Sequence, residues 1–172
     1  MASTLTVDNI VGATSASTVH VPGHIIQVVS TSKTDSYSAT VNTPTLVMAV
    51  TITPKYSNSK ILVTASVQAC TGTGSRAFIQ LRKNNAVLTQ GDASGNRRRC
   101  HAQISNMDDG FMESISMEHL DTPSTTSSTT YQVYSMDEGG NTPIYINRSV
   151  DDGNAAARGR GVSTITVMEI AQ

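Results

Sequence analysis

Ile61, Val63, Ala65 and Val67 alternate with Leu62, Thr64, Ser66 and Gln68, a period of two that gives a β-strand one strongly apolar face. Leu46, Met48, Val50 and Ile52 repeat the pattern. Shorter runs at 25–29, 77–81, 100–104, 115–117, 131–136, 144–146 and 162–170 predict further strands. Arg82-Lys83-Asn84-Asn85-Ala86-Val87 predicts a hairpin, because Asn tolerates the left-handed conformation that a tight turn demands. No capped stretch with a 3.6-residue apolar stripe is present, so helix is expected to be nearly absent, apart from one turn near 154–157.

Short strands separated by loops rich in Gly, Ser, Asn and Asp predict an all-β chain, an antiparallel β-sandwich of the jelly-roll kind. Residues 1–22 lack this periodicity and end at Val21-Pro22-Gly23, where Pro and Gly punctuate the backbone. They read as an extended N-terminal arm ahead of a head domain at 23–172. Leu5, Val7, Ile10 and Val11 in the arm cannot bury themselves in so short a segment and are expected to anchor it in another subunit. The Thr- and Ser-rich run at 122–130 reads as a surface loop. In the last strand, Val162, Met168 and Ile170 alternate with Ile165 and Val167, so both faces are apolar. A central strand and a subunit interface both explain that, and an oligomer is the favoured expectation.

Composition narrows the function classes. The chain has 172 residues with a net charge of −1, 38% apolar and 15% charged residues, which suits one domain and no basic partner surface, hence no nucleic acid. Its longest apolar runs fall far short of the roughly 18 residues that a membrane span needs, so no membrane insertion is expected. The start of the chain has neither the basic segment nor the apolar core of a signal peptide, so synthesis and retention in a cytoplasm are expected. Cys70 and Cys100 are then expected to be free thiols. Asn147-Arg148-Ser149 matches a glycosylation pattern by chance.

The candidate chemistry is thin. Cys100 and His101 are strand neighbours and point to opposite faces, which separates a thiol from its base. His20 and His24 straddle Pro22-Gly23 and cannot share a helix face as metal ligands. Asp108-Asp109, Asp137-Glu138 and Asp151-Asp152 precede Gly in the manner of turns, with a weak cation site or a carboxylate pair as less favoured alternatives. No nucleophile elbow or Gly-rich phosphate loop occurs. The expectation is a protein that is not an enzyme and uses no cofactor or metal. Arg97-Arg98-Arg99 with Arg158 and Arg160 form the candidate binding surface, for acidic loops of a neighbouring copy or for an anionic glycan.

The opening Ser3-Thr4-Leu5-Thr6-Val7-Asp8-Asn9-Ile10 and the segment Val19-His20-Val21-Pro22-Gly23-His24-Ile25-Ile26-Gln27-Val28-Val29 resemble the N-terminal part of small virion structural proteins of tailed bacteriophages, the tail fibre-like proteins. Ser59-Lys60-Ile61-Leu62-Val63, Ala77-Phe78-Ile79-Gln80-Leu81-Arg82-Lys83-Asn84, Gly91-Asp92 and Ser163-Thr164-Ile165-Thr166-Val167-Met168-Glu169-Ile170 are similar to strands of their C-terminal domain. The resemblance implies a homotrimer of jelly-roll heads, in outline like C1q and tumour-necrosis-factor domains. Its arms would be held by other virion proteins and its loops would touch a host surface, a glycan included. The long fibres' repetitive shaft is missing here, so a short knob or a capsid decoration protein stands beside the fibre subunit. A carbohydrate-binding domain on the same sandwich is the remaining alternative, although aromatic platforms for sugar rings are scarce: no Trp, two Phe and five Tyr.

Overall fold

The computed structural model describes residues 21–105, 110–139 and 142–172 together with Ile10 and Gly12. Among them there are eleven strands, all paired antiparallel, and no helix. β4 (Lys60–Thr71) is the centre of the first sheet. Its odd-numbered positions Ile61, Val63, Val67 and Ala69 are completely buried, as the alternation predicts.

On one edge, β4 pairs along 61–69 with β8 (Glu113–Asp121). On the other it meets two strands end to end: β11 (Ser163–Ile170) along 60–66 and β10 (Ile144–Ile146) along 69–71. The outermost column is broken in the same way, with β1 (Ile25–Lys33) on β11 and β2 (Tyr37–Ala39) on β10. The first sheet is therefore four columns wide.

The second sheet has the order β3 (Thr45–Ile52), β9 (Thr129–Asp137), β5 (Arg76–Lys83). The far edge of β5 is shared by β7 (Ala102–Ser105) and β6 (Ala86–Val87). One apolar cluster joins the two sheets, with Ile61, Val63, Ile165 and Val167 from the first and Val50, Ile52, Ile79, Leu81 and Val133 from the second. The predicted hairpin is present, with Asn84 at φ 48° and Asn85 at φ 70° as its two tip residues. The single turn near 154–157 is present too, closed by Arg158 N–H donating to Ala155 O.

Two expectations change. In β3 a bulge between Leu46 and Met48 shifts the phase by one residue. Val47 turns inward, at 8% exposure, while Leu46 is left 45% exposed, so the predicted apolar face of Leu46, Met48, Val50 and Ile52 begins only at Met48. The strand closed on both sides is β5 rather than the last strand. Phe78 and Gln80 on its outer face are buried like Ile79 and Leu81 on its inner face, because residues 88–101 fold back over it. Arg98 lies over the Phe78 ring, and Gln80 Nε2 donates to Arg99 O. β11 keeps a strict alternation, with Ile165 and Val167 buried and Met168 and Ile170 half-buried on the outer face.

The break between β10 and β11 is held by Asn147, which is 1% exposed and has φ 61°. Its side-chain amide donates to Lys33 O and Asp35 O at 2.7 and 3.0 Å, and its Oδ1 accepts from Ser163 Oγ at 2.6 Å. One side chain thus replaces the ladder bonds lost where both outer columns are interrupted. Gly161 closes the other side, because a Cβ there would sit 2.8 Å from Gln68 Cβ. Asn147→Ala is expected to destabilise the protein by about 2–4 kcal/mol, since it removes the partner of the Lys33 and Asp35 carbonyls and of the buried Ser163 hydroxyl and strains the left-handed backbone. Asn147→Gly restores only the backbone part, and urea unfolding of both variants separates the two effects.

Candidate functional site

The register fixes which loops share an end. The chain enters the sheets at Gly23, whose N–H donates to Ala171 O beside the C-terminus. This entry end also carries loops 53–59, 84–85 and 122–128, while 72–75 and 110–112 lie at the far end; 34–36 and 147–162 leave from the breaks within the two outer columns, beside Gln68 in the far half of β4. The Thr/Ser loop is therefore on the same side as the chain entry.

The loop 147–162 is built by charge. Arg148 stacks over the Tyr145 ring at 4.4 Å and pairs with Asp152 at 2.9 Å; Arg160 takes the other Asp152 oxygen at 2.7 Å. Arg158 donates through Nε and Nη2 to Asp151 Oδ2, and that guanidinium holds the Asp151 carboxyl below its ordinary range. Around residues 152–160 these side chains border a hollow of about 390 Å³. Asp151 and Asp152 thus serve the turn and its ion pairs, and no cluster of metal-ligating residues occurs among the described residues.

The other arginines are spent elsewhere. Arg98 is pinned by Asn42 O, Glu138 O and Phe78, and Arg99 Nε donates to Gly91 O. Arg97 bonds Ser94 Oγ and stays exposed. Arg98 and Arg99 belong to the loop over β5 of the second sheet, whereas Arg158 and Arg160 line the hollow of the loop between β10 and β11 of the first, so the two groups are built on different sheets. Ile10 is 63% exposed, whereas Leu5, Val7, Val11, His20, Asp108 and Asp109 lie outside the described residues. Asp137 is buried and accepts from Gly139 N–H; Glu138 pairs with Arg76. Cys70 and Cys100 are free thiols, and burial pushes the Cys100 thiol up, away from a reactive thiolate.

The outer face of the first sheet carries an exposed apolar row. Val28, Met168, Leu62 and Leu120 are mutual register partners and form one apolar row across all four columns. Val28 is 54% and Leu120 51% exposed, and the pair Ile25 and Ile170 extends the row at the entry end. Ser30, Thr166, Thr64 and Glu118 make the next row, then Ser32, Thr164, Ser66 and Ser116. A shallow hollow of about 420 Å³ lies over these hydroxyls. The face carries few charges in total. The outer face of the second sheet differs, with Arg82 stacked over Tyr134 at 4.3 Å and loop 88–101 covering β5.

Two buried polar sites were not legible in the sequence. Lys83 reaches across from β5 to Asp121 on β8 at 2.9 Å, and Asp121 accepts from Tyr131 OH at 2.7 Å, tying the sheets together at the entry end. Burial and then Asp121 raise the Tyr131 phenol far above its ordinary range. Glu169 is 0% exposed and accepts from Gln27 Nε2, Lys55 N–H and Tyr56 N–H. Burial alone would raise its carboxyl, yet these bonds outweigh it and hold the group below the ordinary value. Both sites tie strands and turns together and line neither the hollow over Thr64 and Ser66 nor the one around 152–160.

Comparison with protein-family models and with curated proteins finds no match to this chain.

His101 provides a pH test of the scaffold. Its Nδ1 accepts the Leu81 N–H at 3.1 Å, standing in for a strand partner where β7 has not yet begun. Burial, then the neighbouring His119, lowers its pKa below 6.5. The unfolded chain takes up that proton as pH falls through 6.5 while the folded chain resists it, so stability falls below that pH by at most about 1.4 kcal/mol per unit. His101→Gln should flatten the slope of unfolding free energy between pH 7 and 5, measured by urea titration; an unchanged slope assigns the effect elsewhere.

Proposed function

We propose that this chain is a virion structural protein of a tailed bacteriophage, a trimeric tail-fibre-like or knob subunit. In this reading residues 1–22 fix it to other virion proteins and the loops of the far half meet the host surface. The observation that carries the assembly part is the apolar row Val28, Met168, Leu62 and Leu120 on the part of the sheet face that nothing in the described chain covers. Exposed contiguous apolar surface of this kind marks an interaction site. Three copies closing around an axis bury one such face each, and the uncharged Ser/Thr rows beside it cost little to desolvate compared with ionised side chains.

The strand order also supports a jelly-roll head. Counting the eight main strands β1, β3, β4, β5, β7, β8, β9 and β11 from first to eighth, the two sheets read 1-8-3-6 and 2-7-4-5. First pairs with eighth, second with seventh, and fourth with fifth, which is the folded-ribbon logic of two Greek keys. The sequence resemblance to phage tail fibre-like proteins supplies the virion context. The layout supports the division of labour, since the chain enters at one end and the ion-paired loop 147–162 leaves the first sheet in its far half. Attachment then needs no catalysis, because three weak contacts on one rigid head gain effective concentration once the first is made.

Light scattering of the purified chain should give a trimer, and Leu62→Glu combined with Met168→Glu should give a folded monomer with unchanged circular dichroism. A monomeric parent protein overturns the trimer. Deleting residues 1–21 should leave a folded trimeric head that no longer joins particles; incorporation without the arm removes the anchoring role. Gold labelling of particles carrying the intact chain distinguishes tail from capsid shell.

A further inference from the structure

The loop 147–162 has more positive charge than its own fold consumes. Three guanidiniums, Arg148, Arg158 and Arg160, face two carboxylates, Asp151 and Asp152. Arg148 is 19% exposed and its cation lies on Tyr145, so it serves the fold. Arg160 is 57% exposed and among the described residues its one ion pair runs through Nη2 to Asp152; a guanidinium has two forks, Nε/Nη2 and Nη1/Nη2, and a bond through one Nη2 hydrogen leaves one fork as an open donor edge. Arg158 spends Nε and Nη2 and keeps Nη1. Both line the 390 Å³ hollow with Asp152, Gly153, Asn154 and Ala155.

The hollow is held open by the fold. Ser149 Oγ donates to Asp151 O, Gly153 N–H to Asp151 Oδ1, Arg158 N–H to Ala155 O and Gly161 N–H to Asn147 O. A ligand entering it therefore orders little that is not already fixed. What it meets is an unspent guanidinium edge, the Asn154 amide and the acceptor oxygens of Asp152, in a site with one net positive charge. A guanidinium edge binds a carboxylate through two parallel N–H bonds, while an amide beside a carboxylate suits hydroxyl groups. A doubly charged phosphate would meet the two aspartates as like charges. A neutral sugar would leave the open edge unused.

We propose that this hollow binds a uronic acid residue of an acidic polysaccharide, its carboxylate on Arg160 and its hydroxyls on Asn154 and Asp152. The inference deepens the attachment reading above and rests on it, by naming the surface chemistry that the exposed end of the head recognises.

The test uses the full chain and two probes, trigalacturonic acid and its methyl ester, which keeps the shape and removes the charge. Calorimetric titration should show binding of the acid and at least about tenfold weaker binding of the ester, the equivalent of about 1.4 kcal/mol. Arg160→Gln should weaken the acid to the level of the ester, whereas Arg97→Gln, an exposed arginine outside the loop, should leave it unchanged. Equal binding of acid and ester, equal loss in the Arg97 variant, or no binding of the acid at millimolar concentration each overturns the proposal. Mass and particle incorporation are read separately. A trimer that joins particles and ignores trigalacturonate overturns this inference alone, while a sugar-binding chain that never joins particles overturns the virion reading alone.

Discussion

A β-strand has two faces, and a sandwich uses only one of them for its core. Every other feature of this protein follows from how the second face is dealt with. In the second sheet the chain covers its own outer surface: residues 88–101 run over β5, Arg98 caps Phe78, and Arg82 lies on Tyr134. In the first sheet the loop 147–162 covers the outer surface around Gln68, Cys70 and Tyr145, and nothing among the described residues covers it toward the entry end, where Val28, Met168, Leu62 and Leu120 line up. The same period-two constraint that builds the core thus creates the face on which assembly is proposed to rest.

Holding two sheets in register needs more than apolar contact, which is not directional. Three polar side chains at the ends of the core supply direction. Asn147 stitches the interrupted columns, Asp121 takes both Lys83 and Tyr131 across the gap between sheets, and Glu169 gathers the turn at 53–56. Each is buried and each has its partners, which is the condition under which a buried polar group fixes geometry at little net cost.

The two ends of the sandwich have different chemistry for a topological reason. Antiparallel connectivity sends alternate loops to opposite ends, so the Thr/Ser loop at 122–128 keeps company with the chain entry, while the charged loop at 147–162 leaves the far half of the first sheet where one column is interrupted between β10 and β11. A head held by the entry end and reading a surface with the far half is the simplest use of that layout. The charged loop holds three ion pairs among its internal bonds, and its open arginine edge is what they leave over.

The sequence by itself determined the class of the fold. Strict alternation in β4, the exact limits of β10 at 144–146, the Asn-Asn hairpin and the lack of helix were all legible, because they depend on local spacing and backbone preference. Tertiary structure alone decided the rest. A bulge of one residue turned Leu46 outward. A fourteen-residue loop made β5, rather than β11, the strand enclosed on both faces. Arg97, Arg98 and Arg99 went separate ways, while Arg158 and Arg160, equally ordinary in the sequence, were brought around one hollow. Glu169, Asp121 and Asn147 gave no local signal because their partners are not sequence neighbours: Lys55 lies 114 residues from Glu169, Lys83 and Tyr131 lie 38 and 10 from Asp121, and Lys33 and Ser163 lie 114 and 16 from Asn147. Strand periodicity tells which face a residue occupies; only the pairing of distant strands tells what that face will meet.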